Sequence, residues 1–282
     1  AEPVKRADIV DRNGELLATS ITVYSLFADP RAIWDPVEVA EGLATVFDDL
    51  DVAAVAKSLS DRDRAFVWVK RGLTPRQRQQ VFELGLEGLD FRRESRRSYP
   101  RGTLAGHVLG YAGQDGQGLA GIEFAMDKRL AEGGDPLRLS LDSNVQFALE
   151  AELAGAVGTY EAQAGTGLVL EAATGEIYGM ASWPPIDPNR VSSVSGNDPS
   201  RLNRAVGSVF ELGSVFKPLT IAAAIDAGAI HPNDIFDVSQ PIVIRGRRIR
   251  DIHRMSGPLT PAGIIAESSN VGTVQVAMML GP

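Results

Sequence analysis

Pro218 is the residue that most narrowly limits how this chain can fold. It has no N–H, so it cannot bond back to the carbonyl of Ser214 four residues earlier. The apolar stretch that follows, LTIAAAI, has a helical pattern. A helix covering 214–227 must therefore begin close to Ser214, with Pro218 near its first turn. That places Ser214 at a helix N-terminus, where free N–H groups and the helix dipole favour negative charge. Lys217, three residues on, lies one turn up the same face, so hydroxyl and amine can meet. The tetrapeptide GSVF occurs twice, at 207–210 and 213–216, and only the second copy runs into a lysine. Ser208 is followed by Glu211 instead, a spacing that suits a capping box or a simple turn.

A serine hydroxyl is a poor nucleophile and needs a base beside it. Lysine serves only when neutral, so its pKa of about 10.4 must fall by roughly 2–3, which takes roughly 3–4 kcal/mol of desolvation or nearby positive charge. Val215, Phe216 and the LTIAAAI helix are the candidates for that desolvation. Ser-x-x-Lys alone is a weak signal, because chains carry it by chance at caps and turns. A second element adds weight. Ser268-Ser269-Asn270 opens another apolar helix, SSNVGTVQVAMML. One reading is an N-cap cluster. The other is a Ser-x-Asn pair whose hydroxyl relays a proton and whose amide holds a substrate carbonyl or tunes the lysine.

The rest of the chain mixes helix and strand signals. ADIVDRNGELLATS predicts a hairpin with its turn at Arg12-Asn13-Gly14. Residues 36–59 are helical in pattern, and TPRQRQQVFELGL has a Thr cap and a Pro at the first helical position. The arginine-rich stretch RRESRRSYPR (92–101) reads as a solvated charged turn. GQDGQGLAG is glycine-rich but lacks the spacing of a phosphate loop. LRLSLD alternates like a strand, SNVQFALEAELAGAV is an amphipathic helix with a Ser cap, and TGLVLEAATGEIYGMAS predicts two strands around a turn. IVIRGRRIRDI is hairpin-like. With 44% hydrophobic residues and 23% charged, a packed core is expected. The net charge of −8 argues against nucleic acid as a partner. The absence of cysteine excludes thiol catalysis and disulfides. No apolar run approaches the roughly 18 residues of a membrane span. The first residues, AEPVKR, suggest a trimmed or processed chain whose targeting segment is gone. His107, His231 and His253 show no metal-ligand spacing and read as structural.

Ser-x-x-Lys followed by Ser-x-Asn, each opening a helix, is the two-part signature of penicillin-recognising serine acyl transferases. The chain resembles the class B penicillin-binding proteins over essentially its whole length. RADIVDRNGELLA is similar to the family's R-G-x-I-x-D-R-N-G element, with Ala7 where Gly is usual. RRSYPRGTLAGHVLGYAG, GLAGIE, LSLDSNVQ, EAATGEIYGMASWPPIDPNR and LNRAVGSVFELGSVFKP follow in the family's order. Leu212 stands where Pro is usual and Ile186 where an aromatic is usual. SSNVG together with ASWPPIDPN resembles the septal, cell-division branch.

The resemblance implies an α+β pedestal (dimerisation-type) domain over 1–135, then the first part of an α/β transpeptidase domain of the serine β-lactamase-like fold over 136–282. It implies Ser214 as nucleophile, Lys217 as general base, and Ser268 and Asn270 as the second motif. The implied activity is peptidoglycan D,D-transpeptidation, with stem peptides ending in D-Ala-D-Ala as substrate and β-lactams as covalent inhibitors. No cofactor or metal is implied. Implied partners are cell-division membrane proteins, and the implied location is the bacterial inner membrane, with one N-terminal anchor and the catalytic domain in the periplasm. The family's third motif, K-T-G or K-S-G, is absent from this sequence. The expectation is an incomplete catalytic domain with little activity alone. A β-lactamase or β-lactam sensor on the same fold, and a non-catalytic scaffold, are the alternatives.

Overall fold

The computed structural model describes residues 5–253, 255 and 257–281. They form two compact units, divided between Ser208 and Val209. The domain division expected at 135/136 lies within the first.

The first unit is built around one long strand. β1 (Ile9–Val10) turns at Arg12-Asn13-Gly14 into β2 (Leu16–Ala28) and pairs with it antiparallel. The buried Asp11 carboxylate holds that turn by accepting from the N–H groups of Asn13 and Glu15. α1 (Pro36–Ala44) and α2 (Val52–Leu59) follow, capped by Asp35 and Asp51. β3 (Val67–Leu73) leads to α3 (Pro75–Glu83), where Thr74 and Gln77 form a capping box. β4 (Leu89–Ser98) pairs antiparallel with β2 from Thr19 to Ala28. Leu26, Leu43, Phe47 and Leu59 pack one core between these strands and helices.

The arginine-rich segment is thus a strand for most of its length, not a turn. Cross-strand pairing with β2 dominates its local charge. Arg97 points inward and pairs with Glu123 at 2.6 Å, while Arg6 bonds the same carboxylate at 2.9 Å. Glu123 is fully buried. It lies on α5 (Gly121–Ala125), which follows the short α4 (Gly106–Leu109) and precedes α6 (Asp127–Ala131). This accounts physically for the glycine that opens GLAGIE: a Cβ on Gly118 would lie 1.9 Å from the Glu123 carbonyl oxygen. His107 bonds the Ser200 carbonyl at 2.7 Å.

β5 (Leu137–Arg138) is shorter than the LRLSLD alternation suggests and pairs parallel with β1. α7 (Ser143–Thr159) is capped by Asp142, whose side chain accepts from Asn144 and Val145; the Ser143 N–H instead donates to Asp11. The expected Ser cap is therefore one residue off, because aspartate at 142 outcompetes it. β6 (Gly165–Leu170) and β7 (Ile177–Trp183) form the expected antiparallel pair, with α7 packed against it. α8 (Arg204–Gly207) ends at Ser208, so no helix starts there.

In the second unit, a 3-10 turn at Gly213–Phe216 runs into α9 (Lys217–Asp226). β8 (Ile242–Ile244) and β9 (Arg247–Ile249) form a hairpin through Arg245 and Gly246, both at positive φ. α10 (Pro261–Ala266) and α11 (Asn270–Leu280) follow. Ile221, Ala224, Phe236, Ile264, Val271 and Val276 form its core. Among the described residues no helix is long and apolar enough to cross a membrane.

Candidate active site

The second unit brings the Ser-x-x-Lys and Ser-x-Asn elements together. Lys217 is the first residue of α9, and its N–H donates to the Ser214 carbonyl. That bond replaces the one Pro218 cannot make, so Ser214 sits in a tight turn at the head of the helix. Here N–H groups lack intrahelical acceptors. The Lys217 side chain is 9% exposed and reaches toward the start of α11. Its ammonium donates to the Ser268 carbonyl and, at 3.0 Å, to the Ser268 hydroxyl. The Ser268 hydroxyl lies 2.9 Å from the Ser214 hydroxyl. Lysine and Ser214 are joined through Ser268; among the described residues Lys217 Nζ makes no direct bond to Ser214.

Burial lowers the Lys217 pKa from the ordinary lysine value, and the negative charge of Asp251 opposes that shift. Two of the neighbours suggested by the sequence stand in solvent. Val215 and Phe216 are 75% and 53% exposed. Lys217 is buried instead where the start of α9 meets the residues before α11.

The serines of 268–270 divide the two readings between them. Ser269 is the N-cap: it is buried and its hydroxyl accepts from the Gly272 N–H at 2.9 Å. Ser268 is held at φ 53°, a left-handed conformation that non-glycine residues rarely adopt. This turn aims its hydroxyl at Lys217 and Ser214. A Cβ on Gly272 would lie 2.6 Å from Ile264, so the glycine of SSNVG lets α10 and α11 approach. The Asn270 amide donates to the Arg250 carbonyl at 3.1 Å and makes no bond to Ser214 or Lys217 among the described residues.

Asp251 was invisible as a site residue in the sequence. Its carboxylate accepts from the Ser269 hydroxyl at 2.8 Å, from the Val271 N–H at 3.0 Å and from the Asn270 N–H. It thus anchors the α11 N-terminus and neutralises its dipole. The only local signal was an aspartate closing a basic hairpin, which points to nothing until the fold brings residue 251 beside 269. Ser208, the copy without a lysine, lies outside this cluster, at the end of α8.

The arrangement can do acyl transfer chemistry: a hydroxyl at a helix head, a second hydroxyl in contact, and an amine whose charge is disfavoured by burial. Comparisons with known proteins give the family. The family described as Penicillin-binding Protein dimerisation domain matches residues 1–135, and Penicillin binding protein transpeptidase domain matches 165–282. A Caulobacter vibrioides protein named "Probable peptidoglycan D,D-transpeptidase FtsI" is 40% identical over 280 residues, 98% of this chain and 47% of that protein. Escherichia coli "Peptidoglycan D,D-transpeptidase FtsI" is 30% identical over 306 residues, covering 98% of this chain and 51% of its own length. The chain thus spans about half the length of these relatives. A peptidoglycan synthetase structure from Bifidobacterium adolescentis superposes with a TM-score of 0.66 at 25% identity, covering 98% of this chain and 59% of that one. With a dimerisation-domain match ahead of a transpeptidase-domain match, and FtsI relatives along nearly its full length, the chain belongs to the class B penicillin-binding proteins, of the FtsI type.

Proposed function

We propose that the protein is a peptidoglycan D,D-transpeptidase of septal wall synthesis, with residues 1–135 as pedestal and 136–282 as part of the catalytic domain. Ser214 is its nucleophile and Lys217 its base, with Ser268 as the relay between them. The observation that carries this reading is the continuous hydrogen-bond chain Lys217–Ser268–Ser214 at 3.0 and 2.9 Å. With a charged lysine the bonds run outward, from ammonium to Ser268 to Ser214. Once Lys217 is neutral, both hydroxyls can turn, and Ser214 donates toward the amine through Ser268. Burial favours that neutral state.

Ser214 Oγ attacks the carbonyl carbon of the penultimate D-Ala of a stem peptide, and its proton passes through Ser268 to Lys217. The C–N bond breaks, the leaving D-Ala amine takes the proton back along the same path, and an ester remains on Ser214. The amine of a second stem then attacks the ester. Its proton returns to Ser214 as the C–O bond breaks, leaving a cross-linked peptide. A β-lactam ring opens on the same hydroxyl and stays as an acyl adduct. The Ser214 N–H, in the first turn, suits the developing oxyanion. Asn270, at the head of α11, is assigned to the substrate's amide. A division-site location at the inner membrane, with the catalytic domain in the periplasm and membrane proteins of the division complex as partners, follows the same reading.

The match of residues 1–135 to a dimerisation domain favours a transpeptidase over a β-lactamase or sensor. The test is to give the intact protein a D-Ala-D-Ala donor with an acceptor amine, and nitrocefin in parallel. Release of D-Ala with a cross-linked product supports the reading. Rapid, repeated nitrocefin hydrolysis without D-Ala release would overturn it.

A further inference from the structure

The first unit holds a cleft of 620 Å³ whose walls include none of the four proposed catalytic residues. Its size is that of a small-ligand site, about 300–1,000 Å³. It opens between β4 and the two segments 111–114 and 188–201. In a chain of net charge −8, four guanidinium groups line this one cleft: Arg71, Arg96, Arg97 and Arg201. The single carboxylate on the wall, Glu94, is taken by Arg71 in a two-bond pair at 2.7 and 3.1 Å.

Arg71 also holds Asp115 at 2.9 Å, and Arg97 is paired with Glu123 at 2.6 Å, whereas Arg96 and Arg201 leave positive charge unanswered. Among the described residues Arg201 bonds only neutral acceptors: the carbonyls of Val191, Val194 and Ser195 and the Tyr111 hydroxyl. Among the described residues Arg96 makes one side-chain hydrogen bond, to the Gly72 carbonyl at 3.4 Å. Among the described residues neither has a carboxylate within 4.0 Å. Arg97 is 8% exposed, and while its Nε and Nη1 are bonded, its buried Nη2 has no acceptor among the described residues. The remaining wall is partly apolar, with Val23, Leu119 and Val191.

We propose that this cleft binds a carboxylate-bearing peptide, and that the peptide is a peptidoglycan stem held outside the catalytic centre; this rests on the transpeptidase reading above. The planar guanidinium fork matches a carboxylate in two parallel bonds. The apolar wall suits the methyl side chains of a short alanine-rich peptide. Occupancy of the cleft would let the enzyme hold wall material while Ser214 works on a second stem.

The experiment uses the full-length protein after reaction with benzylpenicillin, so that the proposed serine is blocked and its adduct is read by intact mass. Binding of a soluble disaccharide tetrapeptide is then measured by calorimetry. Saturable binding is expected. Arg96→Glu, at an exposed position, should weaken it by at least about tenfold, the loss of one charge-assisted bond with added repulsion. Ser192→Trp, which fills the cleft, should abolish it, and amidation of the ligand's carboxylates should weaken it like Arg96→Glu. Thermal unfolding confirms that both variants fold. Absence of saturable binding, or binding indifferent to the variants and to amidation, overturns the proposal. Adduct without cleft binding refutes this inference alone, whereas Arg96-dependent binding without an adduct refutes the transpeptidase reading and leaves the cleft.

Discussion

Asp251→Ala should damage catalysis without removing any group of the relay. The carboxylate accepts two backbone N–H bonds and one hydroxyl bond at the head of α11. Losing such a set costs about 2–3 kcal/mol, since each bond contributes about 1 kcal/mol and water replaces part of it. Those bonds fix the turn that keeps Ser268 at φ 53°, a conformation costing about 1–2 kcal/mol for a non-glycine residue. Without the anchor, Ser268 can relax and swing its hydroxyl away from Lys217 and Ser214. If the relaxed turn is favoured by about 1.4 kcal/mol, the competent fraction falls about tenfold. Stopped-flow acylation by a fluorescent penicillin, on protein shown to be folded, should therefore slow by about tenfold or more. Asp251→Asn keeps acceptor oxygen but removes charge, and with it the influence that opposes the lowering of the Lys217 pKa. Its rate-versus-pH curve should rise at lower pH than that of the unmodified protein. Unchanged acylation by Asp251→Ala would refute the anchoring role.

Further expectations follow from the same geometry. The acylation rate should rise with pH through a pKa below the ordinary lysine range, because burial favours neutral Lys217 and the neutral form is the base; a pH-independent rate measured by stopped flow would contradict this. Lys217→Arg keeps the charge on a group that cannot deprotonate, so acylation should collapse while circular dichroism stays native. Near-normal acylation would make Lys217 an electrostatic support. Glu123→Ala strands Arg97 in the core, leaves Arg6 with Asp127 alone, and should lower stability by about 3–5 kcal/mol in urea unfolding; a change within experimental error would show that the cluster is not integral to the fold.

Much of this fold was legible because its signals were local. Proline and cap residues placed α3, α9 and the serine turn, and the Arg12-Asn13-Gly14 turn placed the first hairpin. The strand pair at 165–183 followed from its apolar alternation around a glycine turn. What the sequence hid was long-range. The segment 92–101 looked like a solvated turn because pairing with β2 and the contact between Arg97 and Glu123 act across 67–79 and 26 residues. Val215 and Phe216 stand exposed, whereas the buried Lys217 side chain reaches a segment 51 residues away. The relay through Ser268 and the anchor at Asp251 have the same origin: each joins groups that only tertiary packing makes neighbours.

The central claim is that the second GSVF serine, and not the first, is the reactive one, because only it is linked to a buried lysine. The direct measurement is tandem mass spectrometry of the intact protein after reaction with penicillin, with peptides that separate residues 208 and 214. The account predicts the acyl adduct on Ser214, and its loss in Ser214→Ala with full retention in Ser208→Ala. An adduct on Ser208, or labelling that survives Ser214→Ala, would contradict it.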